Sequence, residues 1–308
     1  MNSLLKVICF LTISSCLACQ SDKKPTTTET TPPVKEQKTM QRSSEFNEYW
    51  YSGTAELNSY TLKQSRYGEI REGEVVLVFV TEPFSISKQV KLDNPKEAGE
   101  DLVPVMKLNH VRKFTTGIYD YSIVTSSFTP VDFQKHPNTL KLNTSIQEWC
   151  GHTFTQLNLD GSNYGFKQFS YFEADGDAEK TIPAAMLEEE LMTRIRLNKG
   201  KLPLGKVDII FSTIYSRFAY KDLEATKAEI TKTEQDSTIR YNIAYLSYDR
   251  KVSIEVEKNF PYKILSWTED NGDGLVTEAR LKKSIQEPYW SQKKLSDEVK
   301  RTELQLEK

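Results

Sequence analysis

The stretch Glu74-Val75-Val76-Leu77-Val78-Phe79-Val80-Thr81 is apolar at every position between its polar ends. Successive side chains of a strand point to opposite faces, so a half-exposed strand alternates apolar and polar residues. A run that is apolar on both faces predicts a central strand covered on both sides. Working outward, Tyr49–Asn58, Tyr60–Arg66 and Ser87–Leu92 alternate, and Val103–Phe114, Tyr119–Phe128, Thr139–Cys150, His152–Leu159 and Tyr164–Phe172 follow as further strands. Turn signals separate them at Asp93-Asn94-Pro95, Thr116-Gly117, His136-Pro137-Asn138 and Asp160-Gly161-Ser162-Asn163. Strands at this spacing without helices between them predict an antiparallel sheet.

One helix is expected, over Pro183–Leu197. Proline suits a first helical turn. Ala184, Leu187, Leu191 and Ile195 form one apolar stripe, with Glu188, Glu189 and Glu190 early and Arg194 and Arg196 late, in the sense the helix dipole favours. Beyond it, Lys206–Phe218, Glu224–Thr233, Thr238–Tyr248, Lys251–Glu257, Tyr262–Glu269 and Leu275–Ile285 read as strands, with hairpin turns at Tyr248-Asp249-Arg250 and Asp270–Gly274. The fold class is mainly β: curved antiparallel sheets, half-barrel-like, in two β-rich halves with one packing helix near 183–197. The halves are 46–180 and 206–290, joined by a connector at 181–205 and followed by a charged tail at 291–308.

The first residues bear on location. Met1–Lys6 carries one positive charge, Val7–Ile13 is a short apolar run, and small residues lead to Cys16 and Cys19. The run is too short to span a bilayer and reads as a secretory signal over 1–18. A cysteine at the cut gives it the form of a bacterial lipoprotein signal, with the lipid on Cys19 or alternatively Cys16. Acyl chains anchor at about 0.8 kcal/mol per buried methylene. Residues 19–45, rich in Thr, Pro and Lys, have little to bury and are expected to be a disordered tether. The expected location is the bacterial outer membrane, lipid-anchored, facing the periplasm or the cell surface.

The net charge of −2 on 308 residues, with both signs interspersed, offers no basic stripe for a nucleic acid. Of four cysteines, Cys9 and Cys16 leave with the signal and Cys19 takes the lipid. Cys150 alone remains, so the mature body has no internal disulfide.

The sharpest local feature is Glu148, Cys150 and His152. In a strand they fall on one face, where a thiol, an imidazole and a carboxylate would serve as nucleophile, base and orienter. Side chains two apart lie some 6–7 Å from each other by strand rise, too far for a working dyad, and a buried thiol beside a satisfied histidine is the simpler reading. Glu269-Asp270-Asn271-Gly272-Asp273 places carboxylates as a calcium loop would, but the twelfth position is Arg280, so a tight turn is expected and no metal. No cofactor motif is present. Among the dense aromatics, Trp149, Tyr119, Tyr121 and Trp267 are candidates to line a cleft on a curved sheet.

Phe46-Asn47-Glu48-Tyr49-Trp50-Tyr51, Arg66-Tyr67-Gly68-Glu69, Phe128-Thr129-Pro130-Val131-Asp132 and above all Gln147–Gln156 resemble a group of lipoproteins of similar length from Bacteroidota. The polar residues after Cys19 also resemble export signals of surface lipoproteins in that phylum. Members of the group carry the label septum formation inhibitor Maf. The early Ser-x-Arg-Arg motif and α/β pattern of true Maf-type nucleotide pyrophosphatases are absent here. The resemblance implies an envelope lipoprotein and assigns no functional residue. Arg250-Lys251-Val252 and Phe260-Pro261-Tyr262-Lys263-Ile264 further resemble the half-barrel sheets of periplasmic lipoprotein-carrier-like domains. The expected function is a non-enzymatic binding module for an apolar or envelope-derived ligand or a partner protein. The alternatives are an envelope hydrolase or thiol enzyme using Cys150 and His152, and a structural component of an envelope assembly.

Overall fold

A computed structural model of the chain describes residues 42–306. The expected signal, Cys19 with its alternative Cys16, and the tether up to residue 41 lie outside the described residues. Helix α1 (Ser44–Trp50) opens the described body where a strand was expected to begin at Tyr49. Ser43 caps it by accepting the Phe46 amide at 3.2 Å. Phe46 and Trp50, four apart, share the buried helix face.

Fifteen strands form one sheet. In chain order they are β1 (Ala55–Arg66), β2 (Glu69–Ser85), β3 (Leu102–Thr116), β4 (Tyr119–Pro130), β5 (Lys141–Glu148), β6 (Gly151–Asp160), β7 (Asn163–Ser170), β8 (Ala178–Pro183) and β9 (Met186–Leu187). After helix α2 (Leu191–Leu197) come β10 (Gly205–Ile210), helix α3 (Thr213–Ala219), β11 (Ala225–Glu234), β12 (Thr238–Tyr245), β13 (Lys251–Glu257), β14 (Ile264–Asp270) and β15 (Val276–Glu287). Helix α4 (Val299–Glu303) ends the described chain.

The sheet order runs from β8 down to β1, then from β15 down to β9. Neighbours are antiparallel except the short parallel pair β9–β10. The sheet is curved and unclosed. The mainly-β expectation holds, and the two β-rich halves are parts of one sheet, joined where β1 pairs with β15.

The run that opened the sequence reading lies in β2 and is covered on both sides. Val75, Leu77 and Phe79 face the main core, while Val78 and Val80 pack outward with Ala55, Leu57 and Leu304. Leu304 comes from the C-terminal segment, which folds back over the outer face, so the charged tail is in part a cover. Gly73, also in β2, sits where an added Cβ would lie 2.2 Å from the Lys113 carbonyl oxygen, so only glycine admits the close approach of β3.

Several boundaries differ from expectation. Ser87–Leu92 is a turn, not a strand, with one isolated bridge between Phe84 and Lys91. Lys206–Phe218 is not a single strand: Ser212 accepts the Ile214 amide at 3.1 Å and starts α3. The expected helix at 183–197 is helical only in its second half. Pro183 ends β8, Met186–Leu187 pair with β10, and Glu188–Glu190 form a 3-10 turn ahead of α2. The apolar stripe nevertheless packs as expected, with Leu187, Leu191 and Ile195 fully buried.

Between and after strands β9 and β10 at one edge, the Glu188–Glu190 turn, α2 and α3 form a plug in the hollow of the sheet. Its polar groups bond inward-facing side chains of both meanders. Tyr241 of β12 donates to the Gly200 carbonyl at 2.7 Å, and Thr213 meets Thr144 of β5 at 2.6 Å. Because α2 is surrounded, it is buried nearly all round, charged residues included.

Candidate functional site

The alternative thiol triad does not assemble, and the simpler expectation of a buried thiol does not hold either, since Cys150 and His152 are both exposed. β5 ends at Glu148 and β6 begins at Gly151, so Trp149 and Cys150 are the two turn residues of a hairpin. Glu148, Cys150 and His152 are thus not alternate residues on one strand face, which corrects the strand reading. The Cys150 amide donates to Glu148 Oε2 at 2.8 Å. The hydrogen bond and charge of Glu148 push the exposed thiol's pKa up, away from the thiolate a nucleophile needs. His152 is exposed on β6. Cys150 is expected to label completely in the folded protein but more slowly at pH 8 than an unperturbed thiol, and Glu148→Gln is expected to speed it. Labelling rates against pH check this; a rate that falls in His152→Ala would point back to a dyad.

The aromatic candidates separate as well. Trp149 is 69 % exposed at the hairpin tip. Tyr121 is core: its ring stacks on Phe114 at 4.8 Å and its hydroxyl meets that of Tyr67 at 2.8 Å. Tyr119 packs partly buried beside it. Trp267 alone lines an interior space.

That space is a chamber of about 50 Å³ in the hollow, between the plug and the inner faces of β3, β4, β13 and β14. At about 10–15 Å³ per water it has room for a few water molecules. Its organising element is the Glu188-Glu189-Glu190 turn, which sends each carboxylate to a different partner. Glu188 takes a hydrogen bond from Tyr245 at 2.5 Å and pairs with the fully buried Arg250. Glu190 bonds Thr139 and accepts from Arg194 Nε at 2.7 Å. Glu189 accepts the Thr213 amide at 2.7 Å and its hydroxyl at 2.8 Å through Oε1, while Oε2 makes no hydrogen bond among the described residues.

Glu189 is the buried carboxylate of this turn without a cation. Burial, reinforced by the charge of Glu188, raises it from 4.5 to about 7. Across the chamber, burial and the nearby Arg112 lower His110 from 6.5 to about 3, so it is neutral. Its ring stands edge-on to Trp267 at 5.5 Å. Burial pushes Glu269 up, but Arg112 at 2.5 Å and Arg250 outweigh it and hold the carboxyl at about 2. His110 Nε2, Arg112 Nε and Ser127 Oγ share with Glu189 Oε2 the lack of a partner among the described residues.

A larger cleft, of about 260 Å³, opens at one end of the hollow where α1, the end of α2 and the 260–262 turn meet. Phe46, Phe260 and Tyr262 line it together with Arg42, Glu45, Gln134 and Lys199, and Arg196 borders it with its side chain turned into the protein. Arg196 is fully buried: Nη2 pairs with Glu56 at 2.5 Å, Nε donates to the Pro261 carbonyl at 2.7 Å, and the guanidinium lies over Trp50 and Phe79 at 4.9 and 4.8 Å. Arg196 Nη1 and Arg42 Nε make no hydrogen bond among the described residues. Arg42 lies over Phe46 at 4.6 Å and donates to the Leu197 carbonyl at 2.5 Å. Exposed Lys199 stands at the rim with φ +53°, and Tyr262 has φ +62°. Left-handed non-glycine residues of this kind carry about 1–3 kcal/mol of strain each and cluster at functional sites.

None of the cleft residues was a site candidate in the sequence, although Phe46, Arg196 and residues 260–262 stood in stretches read there for other reasons. The available signal was the second arginine of α2, Arg196, together with the aromatic turn at 260–262. Among the described residues no group of three or more His, Cys, Asp or Glu is placed to hold a metal ion, and no helix is long and apolar enough to cross a membrane. Compared with known proteins, the chain matches no family model and has no significant match among curated proteins.

Proposed function

We propose that the protein is a non-enzymatic binding module of the bacterial cell envelope, lipid-anchored to the outer membrane through Cys19, that takes an envelope-derived ligand in the end cleft. The observation that carries this reading is the cleft itself, with Phe46, Phe260 and Tyr262 as walls, Arg42 and Lys199 along it, and left-handed backbone at Lys199 and Tyr262. Ligand sites are usually concave and combine apolar walls with convergent polar groups; this cleft is the more polar kind, with Phe46, Leu197, Phe260 and Tyr262 set among charged and polar residues. The lipoprotein-like start of the chain and its resemblance to Bacteroidota lipoproteins support the location. The interior chamber, at about 50 Å³, has room for only a few water molecules, so an apolar ligand belongs in the larger cleft rather than the hollow.

Native mass spectrometry of protein purified from its own envelope tests the reading. The expected result is an acylated chain carrying a non-covalent mass that is lost in Tyr262→Ala. A ligand-free monomer, with no partner recovered by cross-linking, would overturn it.

A further inference from the structure

The antiparallel order sends successive turns alternately to the two ends of the sheet. The cleft lies at the end that holds the 131–140 and 258–263 connections. At the other end, five connections each hold a large hydrophobic side chain in water. These are Tyr67 between β1 and β2, Ile118 between β3 and β4, Trp149 between β5 and β6, Tyr171 between β7 and β8, and Tyr220 between α3 and β11. Their exposure runs from 55 % at Tyr220 to 83 % at Ile118. Scattered apolar residues on a surface are ordinary, whereas a set gathered at one end, mostly Tyr and Trp, has the composition of a binding hot spot.

Contacts join these tips. The Arg66 guanidinium lies over the rings of Tyr67 and Phe218 at 4.2 and 4.1 Å, which ties the β1–β2 turn to α3. Arg217 pairs with Asp175 at 3.0 Å and lies over Phe172 at 4.4 Å and Tyr220 at 5.1 Å, which ties α3 to the β7–β8 connection. Tyr171 in turn packs on Gly151, next to the Trp149-Cys150 turn. With both arginines occupied, the exposed charge at this end is acidic. Asp120, Glu173, Asp177, Asp222, Asp249 and Asp273 are exposed in or beside these turns and the neighbouring ones at 246–250 and 271–275, against Lys221 and Lys251.

We infer that this end is a docking surface for a partner protein that presents basic and apolar side chains together. Carboxylates of this number repel the anionic head groups of a membrane and attract Lys and Arg, while the tyrosines and the tryptophan bury against apolar side chains. Rings braced by arginines are already held in place, so less freedom is lost when they are covered. The surface is separate from the cleft and does not depend on a ligand there.

The test is NMR on the folded protein with two helical peptides that share one leucine and tryptophan face, one with lysine and the other with glutamate on the polar face. Phosphatidylcholine and phosphatidylglycerol vesicles are the further probes. The lysine peptide is expected to shift the amides of 67–68, 117–118, 149–151 and 171–177 and to bind roughly tenfold more tightly than the glutamate peptide, since like charges brought together are costly. Trp149→Ser is expected to weaken it roughly fivefold, the cost of truncating an interface aromatic. Glu173→Lys combined with Asp222→Lys is expected to narrow the gap between the two peptides. These exposed substitutions should leave the urea midpoint unchanged, and Tyr262→Ala in the cleft should leave peptide binding unchanged. Equal binding of the glutamate peptide, or lysine-peptide binding indifferent to the tip substitutions, would overturn the inference. Shifts at these amides with vesicles but neither peptide would make the occupant a lipid surface, and shifts with protein concentration alone would make it a second copy; either overturns the partner inference. No shift with any probe overturns it as well, and each of these outcomes leaves the cleft reading standing.

Discussion

Arg196→Met is expected to destabilise the protein by about 3–5 kcal/mol, because it leaves Glu56 as an unpaired charge in the core. Both side chains of the pair are fully buried, and Glu56 also accepts from Tyr49 and from Asn58 at 2.7 Å. Burial raises the Glu56 carboxyl, yet Arg196 outweighs it and holds the group below its ordinary value. That balance disappears with the cation. Glu56→Gln leaves Arg196 similarly stranded and is expected to fall in the same range. The double variant should recover a large part of the loss, since taking out both charges removes the desolvation that each imposed on the other's absence. Urea unfolding of the four chains in a double-mutant cycle measures this. Two single losses that simply add in the double variant would show that the pair carries no coupling.

The second large effect concerns pH and Glu189. Its folded-state pKa, about 7, lies above the 4.5 of an ordinary carboxyl, so the folded protein holds the proton more tightly. The associated stability is fully present below pH 4.5 and is lost as pH rises to about 7, a span worth about 3 kcal/mol. His110 acts in the opposite direction. Its pKa falls from 6.5 to about 3, so stability is lost as pH drops through that interval. Between about 4.5 and 6.5 the two slopes cancel, and the native protein is expected to show a flat profile there. Below pH 4.5 the carboxylates held down by arginines, Glu56 and Glu269, add to the acid loss. Glu189→Gln removes one of the opposing slopes. The variant is expected to gain about 3 kcal/mol on the native chain as pH rises from 4.5 to above 7. Urea midpoints at pH 5 and pH 8 give the comparison, and parallel profiles for the two chains would refute the assignment.

What could be read in advance, and what could not, follows from the range of the interactions involved. The strand at Glu74–Thr81, the meander of hairpins and the apolar stripe Leu187, Leu191, Ile195 are local patterns, and each packs where its periodicity put it. The Trp149-Cys150 turn was placed slightly late, with the strands broken at Gly151, because the two turn residues include no glycine; Gly151, just after them, begins β6 and lies under Tyr171. The buried charges were illegible for a different reason. Glu188, Glu189, Glu190 and Arg196 have the order of charges on a solvated helix, and only their partners decide otherwise. Glu56, Arg250 and Thr139 stand 140, 62 and 51 residues from theirs. The cleft compounds this, since its walls come from residues 42–46, 196–199 and 260–262.

One pairing in the sheet sets the order in which it can be completed. Consecutive strands pair with each other except β8 and β9, which lie at opposite edges of the sheet, and the one pairing between strands far apart in the chain is that of β1 with β15. As the polypeptide emerges N-terminus first, each hairpin can zip once its second strand appears, but β1 must keep one edge open until β15 arrives. At about 5–20 residues per second, that interval of some 200 residues lasts roughly 10–40 s. During it the open edge is the place where a newly made chain is most exposed to pairing with the wrong strand, and where a holding chaperone would matter most.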